Sequence, residues 1–447
     1  MFEIAKVSSS AFAIKGYDLI ADLIIRRYEK GGIIVLSPPK KLKDEIEKAL
    51  SLASQGNQGA LDSAERAFNE LTENGRLGGD HARDLYGEIK EIIALTAKVS
   101  ELYPALVGRI YYSFEKIFLG AIADKIREKG FSSLYIHTGS ECGITFREQL
   151  TPELLLNASL NKCRRFVEAL QGNRETIHLV GSFTASDSYG KIIRAPRGSA
   201  DLIASLLAAT TDAKTLTVWT GSQGLMSADP TIVQSAKRIE VMSYREAMEL
   251  FSINPELFNP MALEILKMKN IELSFRTADM PDEEGTQIRS QSPVLSNVVK
   301  AVAYRSDLAI VTITGTELRS VIPLLINEVL RNSIKYHTII QSSSGSEINL
   351  IVDQKDVNKL RNIIEIQFMG ETIEDYKIVS GVCLVSIIGE GMKGTPGVAA
   401  RLFGAVARNM INIIMIIQGS SELNIGFVIR GEDCVNAIRA VHSEFIR

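Results

Sequence analysis

An internal repeat in the last third of the chain limits the fold more than any other feature. VTITGTELRSVIPLLINEVLRNSIKYHTIIQSSSGSEINLIV begins at Val311, and VSIIGEGMKGTPGVAARLFGAVARNMINIIMIIQGSSELNIGFVI begins at Val385. Both read as strand, glycine loop, amphipathic helix, Asn-containing turn, β-branched strand, Gln-Ser or Gln-Gly turn and strand. Ile340-Gln341-Ser342 answers to Ile417-Gln418-Gly419, and each copy runs on into a last helix, Val357 to Ile364 and Cys434 to Phe445. Duplicated units with short connections imply two similar βαββαβ modules packed together. The second copy carries Gly389-Glu390-Gly391-Met392-Lys393-Gly394-Thr395-Pro396-Gly397-Val398 before its helix. A glycine loop feeding a helix N-terminus offers free N–H groups to an anion such as an amino-acid carboxylate. The same residues also suit a tight turn with no ligand.

Upstream, strand and helix alternate. Phe2 to Val7 reads as a buried strand, Ala13 to Tyr28 as a helix, and Ile33 to Leu36 as a second strand ended by Ser37-Pro38-Pro39. From Lys40 to about Val107 the pattern is helical, broken near Gly56–Gly59 and Gly75–Gly79. Further strands are expected at Leu134–Ile136, His178–Phe183, Thr215–Thr220 and Ile271–Phe275, and helices at Tyr112–Lys129, Asp201–Thr210, Tyr244–Phe251 and Met261–Met268. Repeated β-loop-α units argue for an α/β sandwich reaching about residue 290. Asp279 to Pro293 is rich in charge, Pro, Ser and Gly and is read as the main boundary.

With 447 residues, 45% hydrophobic and 23% charged, the chain reads as a multidomain globular protein. Fifty basic residues against 53 acidic ones, formal net charge −3, give no concentrated basic face for nucleic acid. No apolar run reaches the ~20 residues that span a bilayer, and no signal peptide is evident, so a cytoplasmic location is expected. Cys142, Cys163, Cys383 and Cys434 are scattered without metal spacing and read as four buried free thiols; no metal site is expected.

The string Gly391-Met392, Pro396 to Phe403, Ile411-Asn412-Ile413 and IIQGSSELNIGFVI resembles the second ACT domain of aspartate kinases, nearly without gaps from Val385 to Ile429. Gln341-Ser342-Ser343-Ser344 resembles the first ACT domain of that family. The effector contacts this implies are Gly391, Met392, Pro396, Gly397, Gln341 and Ser342. The first copy departs at Gly315 to Ser320, which lacks the Gly-Met and Pro-Gly pairs, and His337 stands where the family usually has Asp.

Weaker likeness covers essentially the whole chain. Lys6-Val7-Ser8-Ser9-Ser10 is similar to the family's KFGGTS, which implies Lys6 at the ATP phosphates and Ser10 near the substrate. Arg197-Gly198-Ser199-Ala200-Asp201 resembles RGGSD. The resemblance implies that Arg197 and Gly198 hold the substrate aspartate and that Asp201 organises the active site. Trp219 to Pro230 resembles WTDVDGVYTADP and Ala236-Lys237-Arg238-Ile239 also matches, which implies Thr220, Gly224, Asp229 and Lys237 as nucleotide contacts. Ser243-Tyr244-Arg245-Glu246-Ala247 matches as well.

The departures concentrate at nucleotide contacts. Ser37-Pro38-Pro39-Lys40 replaces SAMG, and each proline removes an N–H. Gly221 and Gln223 replace two acids, Met226 a Tyr and Thr231 an Arg. Glu256 stands in place of a phosphate-contacting Lys, and near Tyr112–Lys116 the family's Gly-Glu is reordered or replaced. Lys40, Lys41 or Lys191 are the candidates to restore the charge.

The expected fold is therefore an α/β chain: an amino-acid-kinase (carbamate-kinase-like) αβα sandwich over 1–290, with a helical excursion at about 40–107, then ferredoxin-like ACT modules at 291–375 and 376–447. The implied function is divergent: ATP with Mg phosphorylates L-aspartate to 4-phospho-L-aspartate in lysine, threonine and methionine biosynthesis, under ACT control. The alternative is a catalytically impaired paralogue that binds an amino acid or an active kinase subunit; a third reading is a kinase of another acid. A small-molecule amino acid is the implied partner, with a homodimer through the ACT modules because unpaired sheet edges favour pairing. Phosphoryl transfer rests on positioning and charge stabilisation, and one lost donor costs roughly 10²–10³ in rate.

Overall fold

The computed structural model describes residues 2–72, 79–139, 141–147, 153–173, 175–290, 298–316, 318–370 and 373–446. The main domain runs β1 (Ile4–Val7), α1 (Ser9–Tyr28), β2 (Gly32–Leu36), α2 (Lys40–Ser54), α3 (Gly59–Thr72), α4 (Gly79–Val99) and α5 (Pro104–Glu128). It continues with β3 (Ser133–Ile136), β4 (Thr145–Arg147), β5 (Glu153–Leu154), α6 (Leu156–Ala169), β6 (Ile177–Val180), β7 (Thr184–Asp187), β8 (Ile192–Arg194) and α7 (Ser199–Thr210). β9 (Thr215–Thr220), β10 (Val241–Ser243), α8 (Tyr244–Ile253), α9 (Pro260–Lys269), β11 (Glu272–Thr277) and β12 (Thr286–Arg289) complete it.

Eight strands form one sheet in the order β10-β12-β11-β9-β1-β2-β6-β3. From β11 to β3 all neighbours are parallel, and β12 runs antiparallel to β11. A parallel sheet is covered on both faces, so its strands are apolar throughout. β2 shows the division: Ile33 and Val35 pack into the core with α6, α7, α8 and α9, while Ile34 and Leu36 pack into the core with α1 to α5. The expected αβα sandwich is what forms. A small second sheet, β5-β4-β7-β8, was not expected. The segment read as the boundary carries β12, which inserts between β10 and β11, so the main sheet extends through it. Part of that segment, and the glycines at 75–78, lie outside the described residues.

The repeat folds as β13 (Ala301–Gly315), α10 (Leu318–Arg331), β14 (Tyr336–Gln341), β15 (Glu347–Asp353), α11 (Val357–Gln367), β16 (Ile373–Ile388), α12 (Val398–Arg408), β17 (Met415–Gln418), β18 (Asn424–Arg430) and α13 (Cys434–Phe445). All six strands join one antiparallel sheet, β14-β15-β13-β16-β18-β17. The long strands β13 and β16 serve both modules. Ala309, Val311 and Ile313 pack under α10 and α11, whereas Val299 and Val302 pack with Cys383, Val385 and Ile387 under α12 and α13. The pairing shifts register between Arg305 and Leu308, where Asp307 takes φ 58° and Gly381 on the partner strand takes φ 68°. The first module is therefore nested inside the second, whose core draws on residues from both sides of it.

One expectation is corrected. Cys383 on β16 and Cys434 at the start of α13 form a disulfide, while Cys142 and Cys163 remain buried free thiols. The pair is 51 residues apart and meets only because α13 packs across β16. No described helix is long and apolar enough to cross a membrane.

Candidate active site

Open parallel sheets bind ligands at the carboxyl ends of their strands, where the strand order reverses. Here the reversal falls between β1 and β9, because the chain moves from β1 to β2 on one side and reaches β9 on the other. Lys6 lies near the end of β1, beside Val35 of β2 and Val218 of β9. Its ammonium is ion-paired with Asp201 in the first turn of α7, and both residues are buried. The other Asp201 oxygen accepts the backbone N–H of Asn259 at 3.0 Å. Asn259 caps α9 through its side chain, accepting from Met261 N at 2.9 Å. One carboxylate thus ties β1, α7 and α9 together, and the ammonium also lies 5.7 Å from the centre of the Phe258 ring.

Gly198 is the N-cap of α7 at φ 82°, a left-handed conformation that glycine adopts without strain. A Cβ there would also stand 2.7 Å from Asn259 Nδ2. Arg197, one residue earlier, is exposed at the mouth.

Ser10 opens α1 and accepts the N–H of Gly221 at 3.1 Å. Ser8 N donates to Trp219 O at 2.8 Å, so the β1–α1 turn and the end of β9 are stitched together. Thr220 closes β9 and donates to Ser222 O at 2.8 Å. Gly224, at φ 116°, packs against Thr286, whose hydroxyl oxygen accepts Leu225 N at 2.8 Å.

Asp229 and Lys237 go elsewhere. Asp229 accepts Thr231 N at 2.9 Å, Thr231 Oγ1 at 2.7 Å and Tyr304 Oη from β13 at 3.0 Å. Burial alone would raise its pKa, but those bonds outweigh burial and hold it below the usual carboxylate value. Lys237 N donates to Ser227 Oγ, which lies 2.9 Å from His442 Nε2 of α13. These two residues therefore sit where the main domain meets the second module, apart from Lys6 and Asp201.

The residues singled out for an effector also divide. Met392 is buried in the core of the second module, Gly391 packs against Val298, Gly397 caps α12 at φ 85°, and Pro396 is exposed. Gln341 ends β14 and its Nε2 is buried with no partner among the described residues. Ser342 shapes the following turn, accepting Glu347 N at 3.1 Å. Within one chain β15 and β13 separate β14 from β16, so these two groups are not brought together. His337 pairs with Asp353 at 2.7 Å.

Two carboxylates lay inside strings noted in the sequence but were given no role there. Glu115 on α5 is fully buried and accepts Phe183 N at 2.6 Å and Thr184 Oγ1 at 2.7 Å, fixing the turn after β6. Glu246 on α8 pairs with Lys300. Glu246 stands at capping-box spacing from Ser243, but its pairing with Lys300 and the contacts of Glu115 with Phe183 and Thr184 are distant in sequence and leave no local pattern.

Comparisons with known proteins agree with this architecture. Residues 119–276 match the amino acid kinase family, and residues 385–445 match the ACT domain. The chain is 29% identical over 361 residues to an aspartokinase of Bacillus sp. (strain MGA3), covering 79% of this chain and 86% of that protein. It is 26% identical to a bifunctional aspartokinase/homoserine dehydrogenase of Haemophilus influenzae, covering 91% of this chain but only 52% of that protein, about half its length. The crystal structure of E. coli aspartokinase III in complex with aspartate and ADP superposes over 100% of both chains with TM-score 0.83 at 20% identity, a likeness of fold. With a sandwich domain of the amino-acid-kinase type, an ACT-type tail and this run of relatives, the chain belongs to the aspartate kinase family.

Proposed function

We propose that this chain transfers the terminal phosphoryl group of ATP to the side-chain carboxylate of L-aspartate, giving 4-phospho-L-aspartate, under control of its ACT modules. The observation that carries this reading is the buried Lys6–Asp201 pair at the reversal of the sheet, with Arg197 at its mouth. Lys6 neutralises phosphate charge as it develops. Asp201 holds that ammonium in place and attracts the substrate's amino group. Arg197 offers a planar fork to the substrate's carboxylate. Among the described residues no three His, Cys, Asp or Glu side chains gather at one point; magnesium would arrive with the nucleotide, through phosphate oxygens and water, and neutralise them. The product class places the enzyme at the entry to lysine, threonine and methionine biosynthesis.

The test is ADP release measured with and without each component. The reading requires release that depends on both Mg-ATP and L-aspartate; folded protein that releases none with any amino acid refutes it. A second reading, a regulatory paralogue, is favoured by Pro38, Pro39, Gly221, Gln223 and Glu256 at nucleotide-contacting positions of the family's motifs. It requires amino-acid binding without nucleotide binding, and tight Mg-ATP binding in a calorimeter excludes it. Two copies pair through the unpaired edges of the six-stranded sheet, β14 or β17.

A further inference from the structure

Lys43 belongs to no motif, yet the fold brings it to the site. It sits in the first turn of α2, which starts four residues after β2 ends. β2 is paired with β1, so the start of α2 stands beside the end of the strand that carries Lys6. One turn further on, Glu47 is ion-paired with Arg194 at the end of β8. That contact pins α2 against the segment that delivers Arg197 three residues later. The ionisation of Lys43 registers the same neighbours. Burial lowers its pKa first, the charges of Lys6 and Arg197 lower it further, and Glu47 and Asp201 oppose them.

The charges there do not balance. Lys6 is paired with Asp201 and Glu47 with Arg194. Lys43 and Arg197 have no ion-paired carboxylate among the described residues. Two uncommitted cations beside a satisfied pair create a positive potential that attracts an anion. Of the cations expected to do this, Lys41 is committed to Glu70 at 3.1 Å, and Lys40 and Lys191 are exposed, as the Lys43 side chain is. Glu256, at the position of the family's phosphate-contacting Lys, is exposed in the α8–α9 turn.

We propose that Lys43 is a phosphate-binding residue that places its ammonium on the terminal phosphate oxygens of a nucleoside triphosphate, and so takes the role that Glu256 cannot fill. The inference rests on the kinase reading above. Between the two free cations, Arg197 suits the carboxylate, because its fork is planar and bidentate. Lys43 suits phosphate, because an ammonium on a flexible stem binds as a point charge.

The test titrates the full chain, as wild type, Lys43→Met and Lys43→Arg, with Mg-AMPPNP, Mg-ADP and L-aspartate in a calorimeter. Lys43→Met is expected to weaken Mg-AMPPNP by about 10- to 100-fold and Mg-ADP by no more than about threefold. Lys43→Arg restores most of the loss, and aspartate affinity is unchanged. Equal loss with both nucleotides, loss of aspartate binding, or no loss overturns the assignment. Lys43→Glu provides a second variant at this solvent-reaching position and is expected to abolish Mg-AMPPNP binding; retained binding overturns the assignment too. Wild type that binds neither nucleotide defeats the kinase reading and this inference together. Wild type that turns over while Lys43→Met does so equally well defeats the inference alone.

Discussion

Glu246 and Lys300 form a buried ion pair 2.8 Å apart that joins the main domain to the start of the regulatory sheet. Glu246 also accepts Ser243 N at 2.9 Å as part of a capping box, and its other oxygen accepts Glu390 N at 2.8 Å from the glycine loop of the second module. Lys300 donates in addition to Val241 O at 3.1 Å. A buried charge stripped of its partner is costly, so Lys300→Met is expected to destabilise the protein by about 3–5 kcal/mol. Glu246→Gln combined with Lys300→Met should cost less than the two single changes added together. Urea midpoints measure both, and amide exchange at Glu390 should accelerate in each single variant.

Lys6 and Asp201 act as one unit if the kinase reading holds. Lys6→Met and Asp201→Asn should each lower kcat/KM by roughly 10²-fold or more. The double variant should be little worse than the poorer single one, because removing either partner already disables the unit. Steady-state ADP release checks this, with circular dichroism to confirm folding.

Gly198→Ala tests the cap of α7. The new Cβ meets both the left-handed backbone and Asn259 Nδ2, so a loss of about 1–3 kcal/mol is expected. Because Asn259 N holds Asp201, the KM for aspartate should rise with it. A urea midpoint and a substrate titration read the two effects separately.

Acid should loosen the junction with the second module. His442 is buried against Ser227, and burial first, then the charge of Lys237, lowers its pKa below the ordinary 6.5. The unfolded chain then binds more protons than the folded one below that value. Stability is full above about pH 6.5 and falls as pH drops toward the folded pKa. His442→Gln should flatten the fall measured between about pH 7.5 and about pH 5.5, without abolishing it, since His178 is lowered by burial in the same direction.

Ile416 lies on the edge strand β17 and is 52% exposed. If copies pair there, Ile416→Lys should convert the dimer to monomer in light scattering, because an edge lysine opposes strand addition.

Local pattern made much of this legible. Lys6 lies near the end of an apolar strand, and Arg197 to Asp201 lead into a helix, so each was visible in a few consecutive residues. Lys43 was not, because Lys40-Lys41-Leu42-Lys43-Asp44-Glu45 reads as a solvated charged face. Glu246 with Lys300 and Cys383 with Cys434 were hidden by separations that only packing closes. Asp229 and Lys237 sat in a recognisable string, yet the string itself turns away from Lys6 to meet β13 and α13. The nesting of the modules was invisible because one long apolar strand reads the same whether it serves one core or two.

That nesting decides how the chain can be shortened. A gene truncated between the two repeats would remove β16, the strand that completes both cores, and leave neither module standing. An internal excision behaves differently. Arg305 pairs with Leu384, so a tight turn replacing residues 306–381 would rejoin a ladder already in register. The first module is a removable cassette, and the second is welded to the main domain through Glu246, Ser227 and Asp229.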